Sequence, residues 1–392
     1  MSASGLLLLS LNTLILLVGV SIIVRHLRIP YTVSLVIAGV FVTLLFPASL
    51  PHFSPEVFLT FLLPPIIFQA GTKVDISDVR RDLKLILTYA FVGTLLSSIL
   101  VGLLSYYALG FSPVEAFILG SIISPTDAVA VISILKRLGA PTRLTVIIEG
   151  ETLFNDGVAV VLYSAITAAV LTGVFNPFIA VIGMILSIVM GAIVGGVVGY
   201  IVYRLMMVID DNFVRILLSL LAAYGSYQIA TGLNGSGYTS VAVAGIIIGS
   251  YVQIPQREVE NLDMIWQFIS FIVSSTSFVL IGIYVLPSLL GQYLVAILTS
   301  ILIVLGARAI TVYGLSPLMK SDGNNIPRKW QHIVVWAGLR GPVSVMLALG
   351  LGSLPLAQAD KLTAITFGIV LFSILVQGLS MRFLLDKLRV QE

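Results

Sequence analysis

The chain has 392 residues, of which 58% are hydrophobic and only 10% charged, with a mean hydropathy of +1.10. A soluble domain carries roughly 25% charged residues, so this composition leaves the bilayer as the solvent of most of the surface. The net charge of +3 and pI near 9.0 fit basic cytoplasmic loops better than a nucleic-acid partner, and the absence of cysteine excludes disulfides and thiolate metal sites.

Each span needs about 20 apolar residues. On that basis the chain divides into segments near 5–24, 31–49, 56–72, 84–109, 113–135, 144–172, 176–205, 212–232, 236–254, 264–288, 291–316, 330–353 and 362–385. The first lacks a basic leader and a small-residue cleavage site before Arg25, so it is expected to stay as a span. Pro64-Pro65 is expected to bend the third segment, and Gln69 beyond it is an amide available for packing or for a ligand. In the seventh, Gly191 and Gly195 form a Gly-x-x-x-Gly pattern that favours close helix packing. With the N-terminus outside, the inner loops collect Arg25, Arg28, Lys73, Arg80, Arg81, Lys136, Arg137 and Arg143 in the first half, while Lys361 alone falls in an outer loop. The positive-inside rule therefore predicts a multi-pass cell-membrane protein with its N-terminus outside and its C-terminus cytoplasmic.

About thirteen helices can be arranged as two inverted six-helix repeats, 1–172 and 212–392, joined by a linking helix in 173–211. The fifth and twelfth segments then correspond and run in opposite directions. Both carry a break inside an apolar run: Ser124-Pro125-Thr126-Asp127 in one and Gly338-Leu339-Arg340-Gly341-Pro342 in the other. Paired interruptions at corresponding places point to a transporter's midplane site. The expected fold is all-α, a single membrane transport domain with two crossed broken helices. No long polar stretch suggests an attached soluble domain.

An ionisable side chain at the bilayer centre costs at least ~2.5–3.5 kcal/mol, so each one needs a reason. Asp127, Glu151, Asp156 and Arg340 fall well inside predicted spans. At ~1.5 Å per residue, Asp156 lies about 18 Å into its segment, Asp127 about 20 Å and Arg340 about 15 Å, all near the middle of a ~30 Å hydrocarbon layer. On the sixth segment, helical spacing puts Glu149, Thr152 and Asp156 on one stripe and Glu151 and Asn155 on its neighbour. Sodium is a hard cation that takes oxygen ligands. Asp156 can supply the charge, Thr126 and Thr152 hydroxyls, and the broken backbone near Thr126 free carbonyls. A carboxylate held away from water accepts whichever small cation neutralises it, so a proton competes with sodium for Asp156, and that competition suffices for exchange.

Broken helices expose partial positive charge at N-termini and negative charge at C-termini. Asp127 can offset the former and Arg340 the latter, with Glu151 as the expected ion-pair partner of Arg340. Glu149 is expected at the inner mouth, attracting cations or capping its helix, and Arg308 is expected to anchor an inner helix end. His26, His52 and His332 fall away from the buried acids. No metal, serine–histidine or nucleotide-binding signature is present, so no cofactor is expected beyond the transported ion and proton.

The Glu149-Gly150-Glu151 and Phe154-Asn155-Asp156-Gly157 motifs, with Ser124-Pro125-Thr126-Asp127-Ala128-Val129, Leu63-Pro64-Pro65-Ile66-Ile67-Phe68, Gly338-Leu339-Arg340-Gly341 and Gln377-Gly378, resemble the electroneutral sodium/proton antiporters. That group, within the monovalent cation:proton antiporter family, includes prokaryotic NhaP-type proteins and animal sodium/proton exchangers. The resemblance spans essentially the whole chain in order. It implies a homodimer in membrane lipid, with a mobile bundle that includes the helices near 113–172 and 330–385. It also implies ion and proton binding at Asp156 assisted by Thr126 and Thr152, and a structural pair between Glu151 and Arg340. Asn155 in place of a second aspartate resembles the one-for-one, electroneutral branch. Gln69 stands where some relatives carry a glutamate implicated in the ion site, and Thr152 where some carry serine. The cytosolic regulatory tail of animal exchangers is not expected after the last segment.

The expected activity is thus electroneutral exchange of sodium or lithium for protons, by a secondary transporter and not an enzyme. A potassium/proton antiporter of the same fold and a sodium-coupled solute symporter are the alternatives. An intramembrane aspartyl protease using Asp127 and Asp156 lacks its Gly-x-Gly-Asp signature.

Overall fold

The computed structural model describes residues 19, 31–45, 54–74, 76–127, 129–172, 177–251, 256–285, 287–317 and 326–390. The predicted first span, 5–24, lies almost wholly outside the described residues, as do His26 and His52. The described regular structure is helical throughout. The helices are α1 Tyr31–Leu45, α2 over 55–73, α3 over 76–109, α4 Pro113–Ile123, α5 Val129–Arg137 and α6 Thr142–Thr172. They continue with α7 Pro177–Val208, α8 Asn212–Gly232, α9 Gly237–Tyr251, α10 Gln256–Ile283, a short unnumbered helix Pro287–Gln292 and α11 Leu294–Leu315. Last come α12 Arg328–Trp336, α13 Pro342–Leu349 and α14 Ala359–Leu388.

Seven of these are long and apolar enough to cross a membrane: Arg80–Leu109 within α3, then α6, Ala180–Val208 within α7, α8, Glu260–Ile283 within α10, α11 and α14. Of the four shorter apolar helices among the described residues, α4 and α13 are halves of interrupted segments. Their surfaces are those of a lipid-solvated protein. On α7, Ile185, Leu186, Ile193, Val197 and Tyr200 are all exposed.

Local sequence accounts for most of the shape. Pro65 has no N–H to give the Phe61 carbonyl, and the Tyr224 hydroxyl of α8 donates to that oxygen instead, at 2.9 Å. α2 is correspondingly wound as a π-turn over Phe58–Leu62 before returning to α-helix. Gly191 and Gly195 of α7 face the backbone of Ser236 and Ser240 so closely that a β-carbon at either would strike a carbonyl oxygen. The Gly-x-x-x-Gly pattern therefore does pack two helices together, α7 against α9. Outside the core of the bundle, Asp82 of α3, only 1% exposed, takes both a 2.6 Å and a 3.0 Å bond from the Arg143 guanidinium of α6.

The fifth and twelfth predicted segments are each broken where expected. α4 ends at Ile123 and α5 resumes at Val129; α12 ends at Trp336 and α13 begins at Pro342. The two links touch, since the Asp127 amide donates to the Leu339 carbonyl at 2.8 Å. Two chains out of helical register in an apolar core thereby satisfy part of each other's backbone. α14 is also irregular, with a π-turn over Ser373–Gly378. There the Ser373 hydroxyl accepts from the Arg340 amide at 3.0 Å and stands 3.2 Å from the Arg340 carbonyl. The second link is thus held from both sides.

Candidate ion-binding site

α6 presents two faces near the broken helices, as its spacing predicts. On one face, Glu149, Thr152 and Asp156 line a cavity of about 510 Å³ together with Gln69 of α2, Asp127 of the first link and Ser274 of α10. Its mouth carries Lys73, Lys136 and Glu149. Lys136 is largely solvated and stands 3.6 Å from Glu149. The cavity therefore runs from a charged, wet mouth to Asp156 and Asp127 at its inner end. Thr152 adds a hydroxyl that has no hydrogen-bond partner among the described residues.

The other face of α6 is structural. Asn155 is fully buried, and its Nδ2 donates to the Thr126 hydroxyl at 2.6 Å and reaches the Thr126 carbonyl at 3.4 Å. This fastens the helix bearing Asp156 to the first link. Thr126 is itself buried and lines, with Asp156 and Asp127, a second and much smaller space of about 40 Å³.

Glu151 does not pair with Arg340. Its two carboxylate oxygens take 2.5 Å and 2.9 Å bonds from the two terminal nitrogens of Arg308 on α11. Arg308 also donates to the Val334 carbonyl at 3.2 Å, so it is a buried strut between α6, α11 and α12 and not a helix-end anchor. The reason is geometric. Arg308 sits on an uninterrupted helix and presents a planar fork that occupies both oxygens. Arg340 sits in the non-helical link, and its side chain lines a small space with Val335 and Gly338, at the C-terminal end of α12. Arg308 of α11 lines the same space. The Arg340 Nε and Nη1 have no hydrogen-bond partner among the described residues.

Asp127 stands against the opposite kind of end. A β-carbon on Gly341, the residue that caps the start of α13, would overlap the Asp127 side chain. The carboxylate is thus pressed to a half-helix N-terminus, where negative charge is favoured. The structure brings together Asp156, Thr126, Asn155, Asp127, Thr152, Gln69 and Glu149. It adds Ser274 and Phe278 of α10, and Ser344 of α13, which sequence reasoning passed over. Ser270, Ser274 and Phe278 recur at helical spacing on one face of α10, a pattern that could have flagged them. His332 is occupied elsewhere, its Nδ1 2.6 Å from the Tyr313 hydroxyl.

Comparison with known proteins identifies the family. Residues 13–387 match the family described as sodium/hydrogen exchanger, transmembrane. The chain is similar to the Na(+)/H(+) antiporter ApNhaP of Aphanothece halophytica, 34% identical over 376 residues that cover 92% of this chain and 70% of that one. It is also similar to the Na(+)/H(+) antiporter NhaH of Halobacillus dabanensis, 33% identical with 96% of each chain covered. In fold it is similar to the sodium proton antiporter MjNhaP1 from Methanocaldococcus jannaschii at pH 8, with a TM-score of 0.81 at 22% identity over 98% of this chain and 99% of that one. The chain therefore belongs to the transmembrane sodium/hydrogen exchanger family and is a membrane transporter, not an enzyme.

Proposed function

We propose that this protein exchanges sodium, or lithium in its place, for protons one for one, with Asp156 as the carrier carboxylate. The observation that carries the reading is the position of Asp156. It stands at the inner end of the large cavity, beside the two helix breaks, within one constellation of hydroxyl and amide groups. Family membership and the sodium/proton activity named for its relatives support the choice of ions.

In this mechanism sodium enters past Lys136 and Glu149, exchanges water for the oxygens of Asp156, Thr152 and Thr126, and neutralises the carboxylate. Gln69 offers a further, neutral oxygen. A proton neutralises the same carboxylate equally well. The neutral site crosses an apolar barrier readily, whereas the empty, charged site does not. Asn155 is an amide already committed to Thr126, so one carboxylate titrates and one charge is exchanged for one. Asp127 and Arg340 hold the half-helix ends in both conformations.

The finer architecture belongs to the same proposal. It comprises about thirteen spans in two inverted repeats, a mobile bundle built around α4–α6 and α12–α14, a homodimer, and a cytoplasmic C-terminus. By the positive-inside rule the basic mouth of the cavity then faces the cytoplasm. Proteoliposomes loaded with a pH indicator test the activity. Sodium and lithium should move protons equally well with the membrane potential clamped or free. A response to potassium alone would keep the fold and reassign the ion.

A further inference from the structure

The 40 Å³ chamber lies on the far side of Asp156 from the cavity mouth. Phe58 and Leu63 line it from α2, and both precede Gln69 and Lys73 along the helix that leads to the mouth. Val343 and Ser344 line it from α13, beyond the break that separates this half-helix from α12. The buried side chains of Phe58, Leu63 and Phe278 close it. Its polar lining is Asp156, Asp127, Thr126, Ser274 and Ser344. At 10–15 Å³ for each water-sized particle, it has room for about three.

Ser344 is the residue there without an explanation. It is 1% exposed, and its hydroxyl has no hydrogen-bond partner among the described residues. As the third residue of α13, it has Arg340 four residues back, outside the helix, and the Arg340 carbonyl already faces the Ser373 hydroxyl. A buried hydroxyl is normally satisfied. A small hydrophobic side chain would fill the space without that burden. The chamber already contains carboxylate and hydroxyl oxygens and lacks a basic side chain, which is the donor set of a small, hard cation.

We infer that the chamber is a second coordination position for the transported monovalent cation, with Ser344 as its ligand when the site opens away from the present mouth. The inference rests on the exchange reading above. In the conformation described here, the cation reaches Asp156 from the Thr152 and Gln69 side. After the switch it leaves through the chamber, exchanging the Thr152 oxygen for that of Ser344, while Asp156 and Thr126 remain common to both positions. Ser344 then sets sodium affinity on one face of the membrane only.

Sodium-driven proton movement in everted and in right-side-out vesicles, from cells lacking their own exchangers, measures the sodium KM at each face separately. Ser344→Ala should raise KM roughly ten- to a hundredfold at the face opposite the mouth, the loss expected for one ligand to a charged group, and leave KM at the mouth face within about twofold of the parent. Ser344→Thr should restore the parent value because it keeps the oxygen, and Ser344→Val, of the same shape without it, should behave as alanine. An equal rise at both faces, or no rise at either, overturns the proposal while leaving sodium/proton exchange intact. A parent chain that moves no protons with sodium at either face overturns the exchange reading itself and this inference with it.

Discussion

The Asn155 amide donates to the Thr126 hydroxyl at 2.6 Å, so the residue next to the proposed carrier carboxylate is bound to the broken segment beside it. The bond joins α6 to the first link and orients the Thr126 oxygen. Asn155→Ala should lower stability by about 1–3 kcal/mol, the range for a buried hydrogen bond whose partner is left unmade, and raise the sodium KM several-fold. Thermal unfolding in detergent and sodium titration of proton release read the two effects. A variant unchanged in both would remove Asn155 from this role.

Asp156→Asn retains size and removes the charge for which, on the proposed mechanism, sodium and proton compete. It should abolish cation-driven pH change while eluting as the parent does on size exclusion. Appreciable exchange by this variant would falsify the single-carboxylate mechanism.

Competition also fixes a direction for pH. Where the carboxylate is mostly protonated, each unit of acidification should raise the apparent sodium KM by about tenfold, since one proton must leave for each cation bound. At higher pH, KM should level off. A KM independent of pH across the whole active range would contradict exchange at one site.

Arg308→Ala leaves the Glu151 charge buried without its partner. It should cost about 3–5 kcal/mol, and Arg308→Met combined with Glu151→Leu should recover most of that loss. Arg340→Met should be milder than Arg308→Ala, since Arg308, and not Arg340, carries the paired bonds to the Glu151 carboxylate. Unfolding temperatures of the four proteins decide the order. Equal losses for Arg308→Ala and Arg340→Met would restore a shared role for the two arginines.

Gly341→Ala puts a β-carbon into the Asp127 side chain. Asp127 must then leave the start of α13, so exchange should fall at least tenfold even where yield is normal. Parent-like transport by this variant would show that the contact is dispensable.

The membrane class, the two breaks and the opposite faces of α6 were legible in the sequence because each is a local property. Apolar length decides what can span. Pro125 and Pro342 decide where a helix cannot continue, and 100° per residue decides which side chains share a face. Asp156, Asp127 and Thr126 could be named for a similar reason: a charge or a break inside an apolar run is conspicuous against its neighbours. Residues 5–24 apart from Gly19, together with His26 and His52, lie outside the described residues.

What the sequence by itself determined, then, was that a carboxylate on a lipid-embedded helix meets a pair of interrupted segments. Which arginine holds Glu151 was decided only by tertiary structure. Arg308 and Arg340 carry the same charge in similar apolar surroundings, and both could neutralise a buried glutamate. The choice follows from helix packing, which presents the Arg308 fork to Glu151 from an intact helix, while Arg340 lies in the link between α12 and α13. The same holds for Ser274 and Ser344, two hydroxyls among many, whose place beside Asp156 follows from the packing of α10 and α13 around α6. Charge cost is written residue by residue along a chain, whereas the partner that offsets it is chosen by contacts between helices far apart in sequence.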